Sequence, residues 1–328
     1  MKITDLYEAI NEESLHIWVT LFFSVILLSC QQANDTDGAS LTLDDIQVKD
    51  YSILEVETNK LPYNSGLIAS PLLPTDSSDA DGIIMFFYAG EKHYHPVQIA
   101  QRTLLFLNTF RITGDSTFVF ESRIFMDKLL ELGIYDRNTV YFPYTLDIYP
   151  HGGNGINNIE KLQVPWVSGM AQGQALSALV RLYTITQDSK YLDAADLVFK
   201  SYQELKHSGN PWTVYIDENK YYWIEEYPLE EPSNVLNGFI FAVYGLYDYY
   251  WLDPEDESRS HLLKAALFTL EENLLRYRRP GEPSYYCLKH QHVDNNYHRY
   301  HIDLINKLYL MTGEIYFKGV SALFAEDA

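Results

Sequence analysis

The stretch PVQIAQRTLLFLNTFRITGDSTFVFESRIFMDKLLEL, residues 96–132, decides the fold class. Pro96 suits a helix start, because the N–H it lacks is one the first turn leaves unpaired anyway. Apolar residues then recur at three- and four-residue steps, which puts them on one face of a helix. The pattern stops at Thr113-Gly114-Asp115, and a second amphipathic helix begins near Phe118 and runs to Leu132. A helix, a tight polar turn and an antiparallel partner make one αα unit.

The same punctuation returns three times. LSALVRLYTIT reaches Thr186-Gln187-Asp188 and restarts as a helix, and LINKLYLMT does so at Thr312-Gly313-Glu314. Between them FAVYGLYDYYWL turns through Asp253-Pro254 into LLKAALFTLEENLLRY. Four hairpins at intervals of roughly 60–75 residues read as a repeat of αα units. Such units close into an α/α toroid or stack as an open solenoid. The long aromatic loops after Asp136 and between Ser208 and Ser233 would crowd one face as a cleft, which favours closure. The expectation is an all-α-dominated chain, a barrel of about four helical hairpins, with a small β or extended segment before it.

Residues 1–30 read as a targeting segment. The run Ile17–Ser29 (IWVTLFFSVILLS) is shorter than the ~20 residues of a spanning helix and suits a signal h-region. It ends at Leu27-Leu28-Ser29-Cys30, which resembles the lipid-attachment box of bacterial lipoproteins. Upstream, Lys2 is the only basic residue against Asp5, Glu8, Glu12 and Glu13, so a later start or an uncleaved anchor is the alternative. Either places the body outside the cytoplasm and on a membrane. Residues 31–90 read as an acidic tether with a short β arm: Tyr51–Val56 alternates as a half-buried strand, and Ile83–Tyr88 is apolar and β-prone. Residues 91–328 form the helical domain.

Composition narrows the partners. With 24 Lys+Arg against 45 Asp+Glu the net charge is −21, which argues against nucleic acid. The 27 tyrosines suit inter-helix packing and clefts that hold sugars or peptides. Only Cys30 and Cys287 are present, so a lipidated Cys30 leaves Cys287 as a packed thiol without a disulfide. The one basic patch holds Arg276, Arg278, Arg279, Lys289 and Arg299, against Glu282 and Asp294. It suits a carboxylate-bearing ligand or a solvated surface. His290, His292, His298 and His301 lack a zinc-binding pattern, and no metal or organic cofactor is expected.

The stretch WIEEYPLEEPSNVLNGFIFAVYGL, residues 223–246, sets Glu225, Glu226 and Tyr227 just before a long apolar helix opening at Ser233 or Asn234. A carboxylate beside a phenol at a helix mouth suits proton transfer or a packed aromatic loop. Gly152, Gly153 and Gly155 would let backbone approach a ligand closely. Trp166 is placed to stack on a sugar ring or to anchor the core, and Gln172 and Gln174 to cap or pack.

These blocks in this order, HYHPVQIA (93–100), YFPYTLD (141–147), WVSGMAQGQALSALVRLY (166–183), WIEEYP, NVLNGFIFAVYGLYD, YCLKH (286–290) and YHRYHI (297–302), resemble the catalytic C-terminal domain of D-glucuronyl C5-epimerases. The resemblance covers roughly residues 90–318. It implies an α/α barrel, a homodimer, no cofactor, and inversion of D-glucuronate to L-iduronate within a heparosan- or heparan-like polysaccharide. It places catalytic residues at Glu226, Tyr227, Tyr286 and Tyr297. Around them, Lys289, His290, His298, His301, Asn237, Trp166, Gln172 and Tyr144 are the expected substrate-binding set. Where the family carries Asp and Arg, this chain has Cys287 and Lys289, and lysine lacks the planar fork that grips a carboxylate twice. A uronate lyase begins with the same proton abstraction, and a glycan-binding lipoprotein would share the cleft without the chemistry.

Overall fold

The computed structural model describes residues 41–70, 77–150, 160–207 and 211–327. The Ile17–Cys30 segment and the HGGNG glycines at 151–155 lie outside them. From Thr42 onward the chain is one compact unit.

Eight α-helices among the described residues form four antiparallel pairs. They are α1 (Pro96–Thr113) with α2 (Thr117–Glu131), α3 (Gly169–Thr186) with α4 (Ser189–Ser201), α5 (Leu236–Tyr250) with α6 (Glu257–Asn273), and α7 (Asn295–Thr312) with α8 (Ile315–Glu326). The first helices of the pairs stand side by side, α1 on α3, α3 on α5 and α5 on α7. This is the α/α toroid the hairpin repeat predicts.

Three of the hairpin turns share one device. Residues 114, 187 and 313 take left-handed backbone, and their N–H groups close back onto Phe110, Tyr183 and Tyr309. The preceding threonine accepts the next N–H, Asp115 to Thr113 at 3.2 Å, Asp188 to Thr186 at 3.3 Å and Glu314 to Thr312 at 3.1 Å. Each helix end thus satisfies groups that would otherwise dangle. The fourth turn works differently, with Asp256 capping α6 through the N–H groups of Ser258 and Arg259.

Before α1, α3 and α5 comes a two-stranded hairpin: β1 (Phe86–Tyr88) with β2 (Glu91–His93), β3 (Ile134–Asp136) with β4 (Thr139–Tyr141), and β5 (Val214–Ile216) with β6 (Tyr222–Ile224). These hairpins therefore gather at the end of the toroid where the inner helices begin. The tightest seam is α3 against α5. A Cβ on Gly173 would strike the Ala242 backbone, and one on Gly245 would strike Gly173 itself.

Residues 42–69 form a packed strap rather than a tether: its first part lies along α6 and the β5–β6 hairpin, with Gln47 N–H donating to Lys220 O at 2.9 Å and Lys264 to Asp50, and residues 51–69 cross the other end of the toroid. Tyr51–Val56 pairs with no strand among the described residues. Instead Leu54 N–H donates to Met311 O at 2.7 Å on α7, and Val56 N–H to Tyr247 Oη at 2.9 Å on α5. Further on, Asn108 of α1 donates to the carbonyls of Ser65 and Leu67. The strap so bridges α7 to α1 and completes the ring. Arg181 of α3 holds it from inside, donating to Pro62 O at 2.9 Å and Asn64 Oδ1 at 3.0 Å while paired with Asp248. Tyr63 of the strap stacks beneath Phe241 of α5.

Candidate active site

The cavity at the N-terminal end of the toroid measures about 720 Å³. Each inner helix contributes its first turns: Val97, Gln98 and Gln101 from α1, Met170 from α3, Asn237 and Phe241 from α5, Tyr297 and Tyr300 from α7. Phe86 and Tyr88 of β1 and the loops after the β-hairpins supply the rest, including Tyr144, Trp166, Glu226 and Tyr227.

Glu225 and Glu226 follow β6, where the chain leaves the strand and bends, and their side chains go to different places. Glu225 is fully buried and spends its carboxylate on the turn. It accepts from Ser233 N–H and Oγ, both at 3.1 Å, and from Asn234 N–H at 2.8 Å. Those N–H groups are thereby taken, and Asn234 has positive φ, so α5 begins at Leu236 and not at Ser233 or Asn234.

Glu226 instead reaches the cavity. Its Oε2 accepts from Tyr286 Oη at 3.2 Å and Asn237 Nδ2 at 3.4 Å, and Tyr227 hydrogen-bonds it as well. Burial pushes its carboxyl up to about 7, against the opposing pull of those donors. Gly238 makes room for it, since a Cβ there would collide with the Glu226 side chain. Burial, reinforced by the charge on Glu226, raises the phenols of Tyr227 and Tyr286 well above the ordinary tyrosine range. Both stay protonated while the carboxyl between them titrates near neutrality. Tyr297 packs edge-on against Tyr286 at 4.8 Å and faces the cavity. Tyr286 itself is not in the lining and meets Glu226 from outside it.

A row of rings forms one wall. Phe86, His95, Tyr144 and Trp166 follow one another at centroid spacings of 5.2, 4.9 and 3.8 Å, the last pair parallel within 6°. Trp166 is both anchor and lining, because Nε1 donates to Leu146 O at 2.8 Å.

Other expected binding residues are placed elsewhere. Gln172 is buried and clamps β4 to α3 and α4, accepting from Phe142 N–H and donating to Val140 O and Ser201 Oγ. His298 and His301 are buried behind Ser284 (Ser284 N–H to His298 Nδ1 at 2.9 Å, Ser284 Oγ to His301 Nδ1 at 2.8 Å). They fasten the segment that carries Tyr286 and do not reach the cavity. Burial, then neighbouring His298, presses His301 down to about 3, so it stays neutral.

Lys289 is paired with Glu160 and Glu231, and His290 Nε2 lies 2.7 Å from Glu160; neither lines the cavity. Arg278 pairs likewise with Asp327, and Arg279 with Glu282. Of the basic patch, Lys289 and Arg278 are thus paired with acids from distant segments, and Arg279 with an acid three residues on. Conversely, His95, Gln98 and Gln101 line the cavity although their stretch suggests only a helix start. The signal was His95 itself, an unusual residue for the position just before a helix-opening proline.

An α/α toroid with a hydrogen-bonded carboxylate–tyrosine cluster at the mouth of its inner helices defines the class of protein. Within that class the chain belongs to the family described as "D-glucuronyl C5-epimerase C-terminus", whose pattern matches residues 149–326. It is 31% identical over 165 residues to the D-glucuronyl C5-epimerase of Caenorhabditis elegans, covering 44% of this chain and 26% of that one. It is 32% identical over 155 residues to an uncharacterised protein of Methanocaldococcus jannaschii, covering 47% of this chain and 50% of that one. The match thus spans half or less of these curated relatives. In fold it is similar to the cellobiose 2-epimerase of Bacillus thermoamylovorans, with a TM-score of 0.51, 11% identity, and 71% and 59% of the two chains covered.

Proposed function

We propose that this protein is a carbohydrate epimerase that inverts C5 of D-glucuronate within a heparosan-like polysaccharide. The observation that carries the reading is Glu226, a buried carboxyl poised near pH 7 between phenols that hold their protons. The C5 hydrogen lies α to a carboxylate and is only weakly acidic, so its removal needs a base held close and donors for the enolate-like intermediate. Ionised Glu226 serves as that base, and Tyr286 and Asn237 hold its Oε2. A cavity phenol, Tyr227 or Tyr297, returns a proton from the other face. Their raised pKa values fit donors rather than bases. Membership of the family and the aromatic wall of a sugar-sized cavity support the substrate class.

The test is incubation of heparosan with the protein in deuterated water, reading label at C5. Exchange should climb as pH rises through about 7, as the Glu226 carboxyl ionises. Tyr227→Phe and Glu226→Gln should each stay folded and slow exchange by roughly a hundredfold or more. Absorbance from an unsaturated uronate in place of label would make the protein a lyase. A folded Tyr227→Phe exchanging at the wild-type rate would remove that phenol from the reaction, and no label in the wild type would leave a glycan-binding protein.

A further inference from the structure

A uronate brings a negative charge into a cavity that already holds Glu226. Among the described residues the lining contains no lysine or arginine, and Lys289 is engaged by Glu160 and Glu231. What the lining does hold is helix N-termini: α1, α3, α5 and α7 all start at its wall. Each carries a partial positive charge; at α1 the first N–H groups are already bonded, Gln98 to His95 Nδ1 and Ile99 to His95 O, so what that helix end offers is its charge and the ring of His95.

His95 stands at the first of these. Its Nδ1 accepts the Gln98 N–H at 3.3 Å and so caps α1. In the neutral ring the proton therefore sits on Nε2, on the far side from the helix. No hydrogen-bond partner for Nε2 is found among the described residues. Phe86 and Tyr144 meet the ring edge-to-face on either side and fix its direction. Burial presses its pKa down to about 4, so above that pH the ring is uncharged and Nε2–H is a standing donor. A second group in the same wall also waits for a partner. Asn237 is 2% exposed, and its Oδ1 has no hydrogen bond among the described residues. It suits a sugar hydroxyl, while His95 suits an anion.

We propose that the cavity receives the substrate's carboxylate at the N-terminal end of α1, through His95 Nε2–H and the converging helix ends, and not through Lys289. The inference rests on the uronate reading above and names the group that recognises the uronate. Neutral donors hold the carboxylate without a buried cation, so Glu226 keeps the high pKa that burial gives it; a lysine or arginine alongside would lower it.

The experiment compares binding of two tetrasaccharides, one containing glucuronate and one with its carboxyl groups reduced to alcohols, by titration calorimetry. The wild type should prefer the carboxylate form at least tenfold. His95→Asn keeps a side chain that caps α1 well but shortens the donor's reach, and His95→Phe keeps a ring but no donor. Both should lose the preference, about tenfold, with affinity for the reduced sugar kept and Tm recorded alongside. A wild type without preference, a preference intact in both His95 variants, or one lost only in Lys289→Ala would overturn the assignment. The readout does not depend on turnover. Preference without C5 exchange overturns the epimerase reading and leaves this one standing. C5 exchange with preference intact in both His95 variants overturns this one alone.

Discussion

Adjacent identical residues can have unrelated work. In the sequence Glu225 and Glu226 are indistinguishable by composition, and only the folded chain, bending just after β6, sends one to the turn and one to the cavity. The family resemblance pointed to Glu226; in the structure that residue lines the cavity, while Glu225 is spent on the Ser233–Asn234 turn. Lys289 shows the opposite case. Counting charges along the chain put it in a basic patch suited to a carboxylate ligand or a solvated surface, but its partner Glu160 is 129 residues away. The cost of poising Glu226 is measurable. With a folded pKa of about 7 against an ordinary 4.5, the native state keeps a proton that the unfolded chain gives up. Stability therefore falls as pH rises from about 4.5 to about 7 and levels off above, by about 3 kcal/mol for this one group. Glu226→Gln should abolish that share: chemical unfolding at pH 5 and pH 8 should show the wild type losing about 3 kcal/mol relative to the variant. Equal slopes in the two proteins would mean Glu226 is not held protonated.

At the scale of elements, helices were legible because their apolar faces and their Thr-x-acid turns are written locally. Gln187 fills a left-handed position that glycine fills at 114 and 313, so the third occurrence is harder to see. The start of α5 was not legible, since it depends on where a buried carboxylate from the preceding loop lands. The half-buried strand expected at Tyr51–Val56 failed for a related reason: alternation reports one buried face, and a strap across helix ends has one too. The glycines of the MAQGQ and LNGF blocks have plain roles. Gly173 lets α3 touch α5 backbone to backbone, and Gly238 leaves space for Glu226. Gly173→Ala should cost about 3 kcal/mol through forced separation of the two helices. Urea denaturation reads it, and a loss below ~0.5 kcal/mol would show that the seam yields easily.

At the scale of the whole molecule, sites and supports sit at opposite ends: the cavity where inner helices begin, the strap where they finish. Arg181 couples strap to barrel, so Arg181→Ala strands Asp248, which is 8% exposed, and frees the Pro62 and Asn64 contacts. A loss of about 3–5 kcal/mol is expected from breaking such a pair. Faster cleavage near residues 54–64 in limited proteolysis should accompany it, and an unchanged cleavage pattern would deny the strap this support. For the region before the strap, we propose lipid attachment at Cys30. Mass spectrometry of protein made in a bacterium should find an N-terminus beginning at a modified Cys30, and an intact N-terminus would favour an uncleaved anchor.

The strap also sets a schedule. Lys49 bonds to Glu314 across 265 residues of chain, so one leaves the ribosome long before the other. At ~5–20 residues per second, roughly 13–50 s of synthesis separate them. During that interval the nascent toroid has no ring: α1 through α6 can pair, but the seam between first and last helices has nothing to close against. Truncated translation products should therefore carry open, protease-sensitive barrels, and refolding should be slow for a mostly helical protein because its final contacts join the most distant parts of the chain.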